Sequence, residues 1–232
     1  MEIVKAGYQI LDTIDGEEVL KKIERIARVC YKSEGKIGDG TAKKMVASLI
    51  KSGHHAMLEH YSFSVLFTVD RGVTHEIVRH RLASFAQEST RYCNYGSLDG
   101  GITVVCPCYL EDEASDEYKI WKEACESASN MYVSMLDAGC KPQEARAVLP
   151  QSTKADIVVT MNLREWRHFF SLRAVGTTGK PHPQMREVAV PLLYEINEII
   201  PVVFEDLALE MTQVLLDSKS NPNEKIYYTP NN

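Results

Sequence analysis

From Tyr61 to Val69 every second residue is a large apolar one: Tyr61, Phe63, Val65, Phe67 and Val69, with Ser62, Ser64, Leu66 and Thr68 between them. A period of two puts the first set on one face of a strand, so the stretch predicts a strand buried on at least one side. The flanking segments keep a different period. Between Glu17 and Cys30, apolar residues at 19, 20, 23, 26, 27 and 30 form a helical stripe. Thr41 is placed to cap a second helix with Met45, Val46, Leu49 and Ile50 inward and Gly53 just past its end. Helices are also expected from Thr74 through Val78, over 113–138 ending at Gly139, from Pro142 to Leu149, over 163–174, and over 183–215 with Pro191 and Pro201 as interruptions. Further strands are expected over 2–10, 102–106 and 155–161, and a glycine loop around Gly96, Gly100 and Gly101. Strands and helices alternate without a βαβ cadence. The expected class is α+β (α/β mixed), a central sheet flanked by helices, in one domain over 1–217 with a polar tail over 218–232.

Composition removes several function classes. A formal net charge of −6 over 232 residues argues against a general polyanion binder, so no nucleic-acid partner is expected. The first eighteen residues lack the basic and continuous apolar regions of a secretion signal, and no apolar run reaches the ~20 residues of a membrane span. Six cysteines at this length fit reduced thiols better than a disulfide framework, which points to the cytoplasm.

Familiar motifs fail on spacing. GKIGDGT (35–41) has phosphate-loop glycines but no lysine after Gly40. His75 and His80 are five apart, and at ~100° per residue they diverge by ~140°, which excludes a shared zinc. Cys106-Pro107-Cys108 has no second pair at ribbon spacing, and His54, His55 and His60 suit a polar pocket lining. No metal is expected.

One stretch runs against the acidic balance. RHRLASFAQESTRY, Arg79 to Tyr92, holds three arginines, a histidine, two serines, a threonine and a tyrosine. A guanidinium grips a phosphate or a planar imide edge through two parallel hydrogen bonds, which lysine cannot do. Hydroxyls and loop N–H groups complete an oxyanion cradle. The residues alone also allow a solvated basic patch, or salt bridges to Glu59, Glu76 and Glu88.

The same stretch resembles the signature of flavin-dependent thymidylate synthases, RHRxxSxxxxSxRY, at Arg79, His80, Arg81, Ser84, Ser89, Arg91 and Tyr92. GHHAMLEH (53–60), EARAVLP (144–150) and TMNLREWRHFFSLR (160–173) resemble three further motifs of that family, in order. Two departures stand out. Ala86-Gln87 replaces a common Asn-Glu, and His168 replaces a common asparagine, while Gly176-Thr177-Thr178-Gly179 lengthens the turn after Arg173.

The resemblance implies methylation of dUMP to dTMP, with methylenetetrahydrofolate and NADPH as co-substrates and FAD as cofactor. It assigns dUMP to Glu76, Ile77, Val78, Arg79, Gln87, Glu88, Ser89, Thr90, Arg91, Arg146 and Arg173. Arg173 is the catalytic residue it implies, facing the uracil carbonyl and N3. It assigns FAD to His54, Ala56, Arg79, His80, Arg81, Gln87, Asn162, Leu163, Arg164 and His168. It also implies a homotetramer with sites at subunit interfaces, and no cysteine nucleophile. Two other classes stay open: a nucleotide- or RNA-binding module, and a flavoenzyme of the same fold acting on another substrate.

Overall fold

The computed structural model describes residues 1–97 and 101–220. Gly100 and residues 221–232 of the expected tail therefore lie outside the described residues. In chain order the elements are β1 (Glu2–Val4), β2 (Gly7–Ile10), α1 (Gly16–Val29), α2 (Thr41–Lys51), β3 (Ser62–Asp70), α3 (Arg71–Ile77), β4 (Ala83–Gln87), β5 (Thr103–Val105), α4 (Asp116–Asp137), α5 (Pro142–Ala145), β6 (Lys154–Asn162), α6 (Leu163–Phe170), α7 (Pro183–Ile199) and α8 (Pro201–Lys219). A four-stranded sheet has the order β2-β3-β6-β4, and β1 pairs in parallel with β5 in a two-stranded one. Mixed strands and helices are what the sequence predicts. No helix among the described residues is long and apolar enough to cross a membrane.

The contacts group into two compact units. The first comprises Met1–Gln9, Leu66–Arg81 and Phe85–Val159. Its own core joins Tyr95, Ile102, Val104, Cys125, Tyr132 and Ala145, with Ile3 and Trp121 packed against them. Ser115 caps α4 by accepting the Tyr118 N–H at 3.2 Å, so the helix starts at Asp116 rather than at the expected 113.

The second unit comprises Ile10–Val65, Leu82–Ser84 and Thr160–Asn232. An aromatic cluster anchors α6: Trp166 stacks on Phe63 with centroids 4.8 Å apart, and meets Phe169 at 5.5 Å and Phe170 at 5.8 Å. The Trp166 indole N–H donates to the Phe63 carbonyl at 3.2 Å, so the ring is buried without an orphaned donor. The Arg167 guanidinium bridges α6 to α8, donating to both Asp206 oxygens at 2.7 and 2.6 Å and to the Val203 carbonyl. At Gly16 the backbone approaches so closely that a Cβ would sit 1.8 Å from the Ile199 carbonyl oxygen. Any side chain there would displace the end of α7.

Several local expectations are corrected. Residues 2–10 are two strands in two sheets, because β1 pairs with β5 (Glu2 opposite Thr103) while β2 joins the larger sheet. The helix expected at Thr74 begins at Arg71, because the Asp70 carboxylate accepts the Val73 N–H at 2.7 Å and caps it one turn earlier. Thr41 lies inside α2 and Gly40 occupies the cap. The basic stretch contains a strand, β4, that its polar composition hides. Pro191 sits within α7, whereas Pro201 opens α8, whose helix runs to Lys219. The helix expected through 174 ends at Phe170 and continues as a π turn, Ser171–Val175.

Candidate functional site

In the first unit β3 ends on a cationic pocket. Asp70 starts α3, and the four-residue spacing of Arg71 and His75 places both on one face of that helix. They line a cavity of about 290 Å³ together with Thr90, Arg146, Ala147, Leu149, Pro150 and Gln151. Arg146 donates to the Thr90 hydroxyl at 3.2 Å. The Arg71 Nη1 is buried and makes no hydrogen bond. A buried guanidinium N–H without an acceptor is costly. Here it belongs to a residue lining a pocket whose other cation is Arg146, so the chemistry asks for an anion.

Thr90 and Arg146 were expected at an anion site; Arg71 and His75 were not. Their signal was present in the sequence. Arg71, His75 and Arg79 recur every fourth residue, a cationic stripe that the search for zinc spacing passed over.

The neighbouring residues from the signature are held by a local network. Ser89 opens a turn whose carbonyl accepts the Tyr92 and Cys93 N–H groups at 3.1 and 3.0 Å, while its hydroxyl accepts the Arg91 N–H at 3.3 Å. The exposed Arg91 guanidinium lies 5.4 Å from the Tyr92 ring centroid. Gln87 donates to the Thr74 hydroxyl at 3.1 Å. The Glu88 carboxylate is committed within the unit, accepting from the Tyr95 hydroxyl at 2.6 Å, the Lys154 ammonium at 3.3 Å and the Asp156 N–H at 3.2 Å. Burial, then the bond to Glu88, pushes the Tyr95 hydroxyl well above its usual range, so it stays a donor. For Lys154 burial opposes the charge, but the bond to Asp156 and the field of Glu88 outweigh it and raise its pKa. Glu76 and Val78 are half-buried, Arg79 and Arg81 exposed, and His80 and Ile77 buried. Ile77 exposes neither side chain nor backbone in the single chain.

The second unit presents the other set. His54 and Ala56 are exposed beyond α2, where Gly53 takes φ of 70° to turn the chain. Asn162 caps α6, its carbonyl oxygen accepting the Glu165 N–H at 2.9 Å. Leu163 is buried, its N–H bonded to the Tyr61 carbonyl. Arg164 pairs with Glu59, and His168 is exposed on α6. Burial, then the Arg167 charge, holds the neighbouring His55 imidazole below its usual pKa. Arg173 lies half-buried on the π turn. On an uninterrupted α-helix, position 173 would stand above Phe169 and Trp166, which are fully buried. The wider turn, closed by the Gly176 N–H on the Ser171 carbonyl at 2.9 Å, gives Arg173 a different phase from the one a continued α-helix would give it, and the residue is half-buried.

Of the six cysteines Cys30 is exposed and Cys93, Cys106 and Cys140 are partly buried. Cys108 and Cys125 are buried, and burial raises the Cys125 thiol.

Residues 10–202 match the family described as thymidylate synthase complementing protein. The flavin-dependent thymidylate synthase of Pyrococcus abyssi is 35% identical over 72% of this chain and 69% of its own length. That of Geobacter sulfurreducens is 32% identical over 78% of each, and that of Corynebacterium glutamicum 33% over 85% and 82%. Among solved structures, the UMP/dUMP methylase PolB from Streptomyces cacaoi, bound with 5-Br dUMP, superposes with a TM-score of 0.73 at 25% identity, over 88% of this chain and 96% of that one. With two thirds or more of each of these relatives spanned at these identities, the chain belongs to the flavin-dependent thymidylate synthase family.

Proposed function

We propose that this chain is a methyltransferase that converts dUMP to dTMP, taking the carbon from methylenetetrahydrofolate and electrons from NADPH through FAD, in dTMP biosynthesis. The observation that carries the reading is the buried Arg71 Nη1, without a partner, in a cavity shared with Arg146 and Thr90. A nucleotide 5′-phosphate supplies an acceptor for the unpartnered Arg71 Nη1. Ser89, Thr90 and Arg91, with Arg146, hold the nucleotide, and Glu76, Ile77, Val78, Arg79, Gln87 and Glu88 border it. Arg173 faces the uracil O and N3 edge and stabilises negative charge as C5 becomes nucleophilic.

The residues present fit a flavin. Arg79, Arg81, Arg164 and His168 are exposed donors, and Asn162 uses its amide oxygen in the helix cap, which keeps its NH₂ for a ligand. FAD supplies electron transfer between NADPH and the pyrimidine when bound. His54, Ala56, Arg79, His80, Arg81, Gln87, Asn162, Leu163, Arg164 and His168 hold and orient it, and nearby cations favour its anionic reduced form. In this reading no cysteine acts as nucleophile, and the activation rests on charge stabilisation at Arg173.

We also propose a homotetramer with sites completed between subunits. The supporting observation is that Arg79, Arg81, Arg91 and Arg146 are exposed in the single chain, as are the apolar Leu82, at 74%, and Tyr92, at 78%. An anion site works best when water is excluded, and a second copy covering those side chains would exclude it.

The test is the absorbance spectrum of the purified, FAD-loaded protein with and without dUMP, followed by product analysis. A spectral shift and formation of dTMP are expected. Flavin binding with turnover of UMP alone would favour the second reading, a methylase of ribonucleotides, which the likeness to PolB raises. Failure to bind either flavin or dUMP would overturn both.

A further inference from the structure

The π turn that carries Arg173 is held from outside its own helix. Arg186, on α7 and only 6% exposed, donates its Nε to the Ala174 carbonyl at 3.1 Å and its Nη2 to the Val175 carbonyl at 3.0 Å. These are the last carbonyls of the turn, the ones a helix end leaves unpaired and partly negative. At Gly176 the chain then reverses with φ of 92°, where a Cβ would meet Pro181 Cδ at 2.7 Å and the Gly179 oxygen at 2.9 Å. Ser171 closes the other side, its hydroxyl 2.9 Å from that of Thr177 and its carbonyl accepting the Thr177 N–H at 3.1 Å.

A regular α-helix needs none of this, and a π turn is intrinsically less favoured. A buried guanidinium bonded to two consecutive carbonyls holds the wider turn where an ordinary cap would let it relax. Since the wider turn sets the phase of Arg173 relative to α6, the direction of Arg173 depends on Arg186.

We infer that Arg186 is the positioning residue for Arg173: its two bonds to the Ala174 and Val175 carbonyls keep the π turn open and thereby aim Arg173 at the pyrimidine. This rests on the reading that Arg173 faces the uracil edge. Arg186 itself touches no substrate.

The test compares two ligands by calorimetry on the full chain. dUMP presents both phosphate and pyrimidine, while 2-deoxyribose 5-phosphate presents the phosphate and sugar without the base. Arg186→Met, which removes both donors at similar length, is expected to weaken dUMP about tenfold or more while leaving 2-deoxyribose 5-phosphate within about twofold. Combined with Arg173→Ala, it should add little to the loss that Arg173→Ala causes alone, because both act through one group. Should the methionine variant fail to fold, Arg186→Lys keeps the buried charge, loses the two-pronged donor, and is expected to show the same selective loss.

Equal weakening of both ligands, or full additivity with Arg173→Ala, would reduce Arg186 to a general structural role and overturn the inference. So would unchanged dUMP binding in a variant whose Arg173→Ala counterpart loses it. If Arg173→Ala itself leaves dUMP binding unchanged, the assignment of the pyrimidine has failed instead, and the two failures are distinguishable.

Discussion

At the scale of single residues, the two arginines that the family resemblance separates should fail differently. Arg173→Lys keeps the positive charge but loses the planar fork that matches a uracil O and N3 edge. Loss of a donor aimed at developing charge costs about 10²–10³ in rate, and lysine should approach that figure in steady-state dTMP formation. Arg79→Ala should instead lower the flavin retained through gel filtration first, and dTMP formation as a consequence. Equal flavin loss in the two variants would contradict the division of roles. Arg71 offers a third, separate outcome. Arg71→Met removes a buried guanidinium whose Nη1 waits for an acceptor, so it should weaken dUMP and 2-deoxyribose 5-phosphate by a similar factor, about tenfold. A variant that loses only the base-bearing ligand would show that Arg71 does not read the phosphate. Sequence and structure part company most clearly at this residue. Arg146, which lines the cavity, stands in a motif, whereas Arg71 acquires its place there from Asp70, whose capping carboxylate sets the phase of α3.

Among the elements, α6 shows how pairing carries a pH dependence. Burial tends to raise the Asp206 carboxyl, but the bidentate bond from Arg167 and its charge outweigh that and lower its pKa. A carboxyl depressed in the folded state contributes stability that is present above its unfolded pKa and lost as pH falls through its folded one. Thermal melts from pH 7 down to pH 3 should therefore fall more steeply for the parent protein than for Asp206→Asn. At pH 7 the variant should be less stable by about 1 kcal/mol, a modest figure because half of the Asp206 side chain is open to water. Parallel acid limbs would mean that the pair does not titrate with folding.

The same scale shows which elements were legible. Strands β3 and β6 bury every second residue, and their alternation is in the sequence. β4, with Phe85 as its one large apolar residue, reads as a polar loop and becomes a strand through its place in the sheet. The π turn was invisible for a similar reason: SLRAV has no unusual propensity, and its geometry comes from Arg186 and from Gly176 against Pro181.

For the molecule as a whole, the proposed sharing of the site between subunits has a genetic consequence, testable at the exposed Arg146 and the half-buried Arg173. If the site is assembled from two chains, as proposed, it has no single owner, and damage to it is not the property of one copy. Two inactive forms, one carrying Arg146→Ala and the other Arg173→Lys, should partly rescue each other when made in one cell. With random assortment of chains, roughly a quarter of the sites would receive both intact arginines if these come from different subunits. Extracts of the co-expressing strain should then form dTMP at about that fraction of the parent rate. Mixtures of the two proteins purified apart should stay inactive until their subunits exchange. Rescue of this kind would make the unit of heredity and the unit of catalysis different objects: one gene encodes the chain, but neither mutant allele alone encodes a whole site.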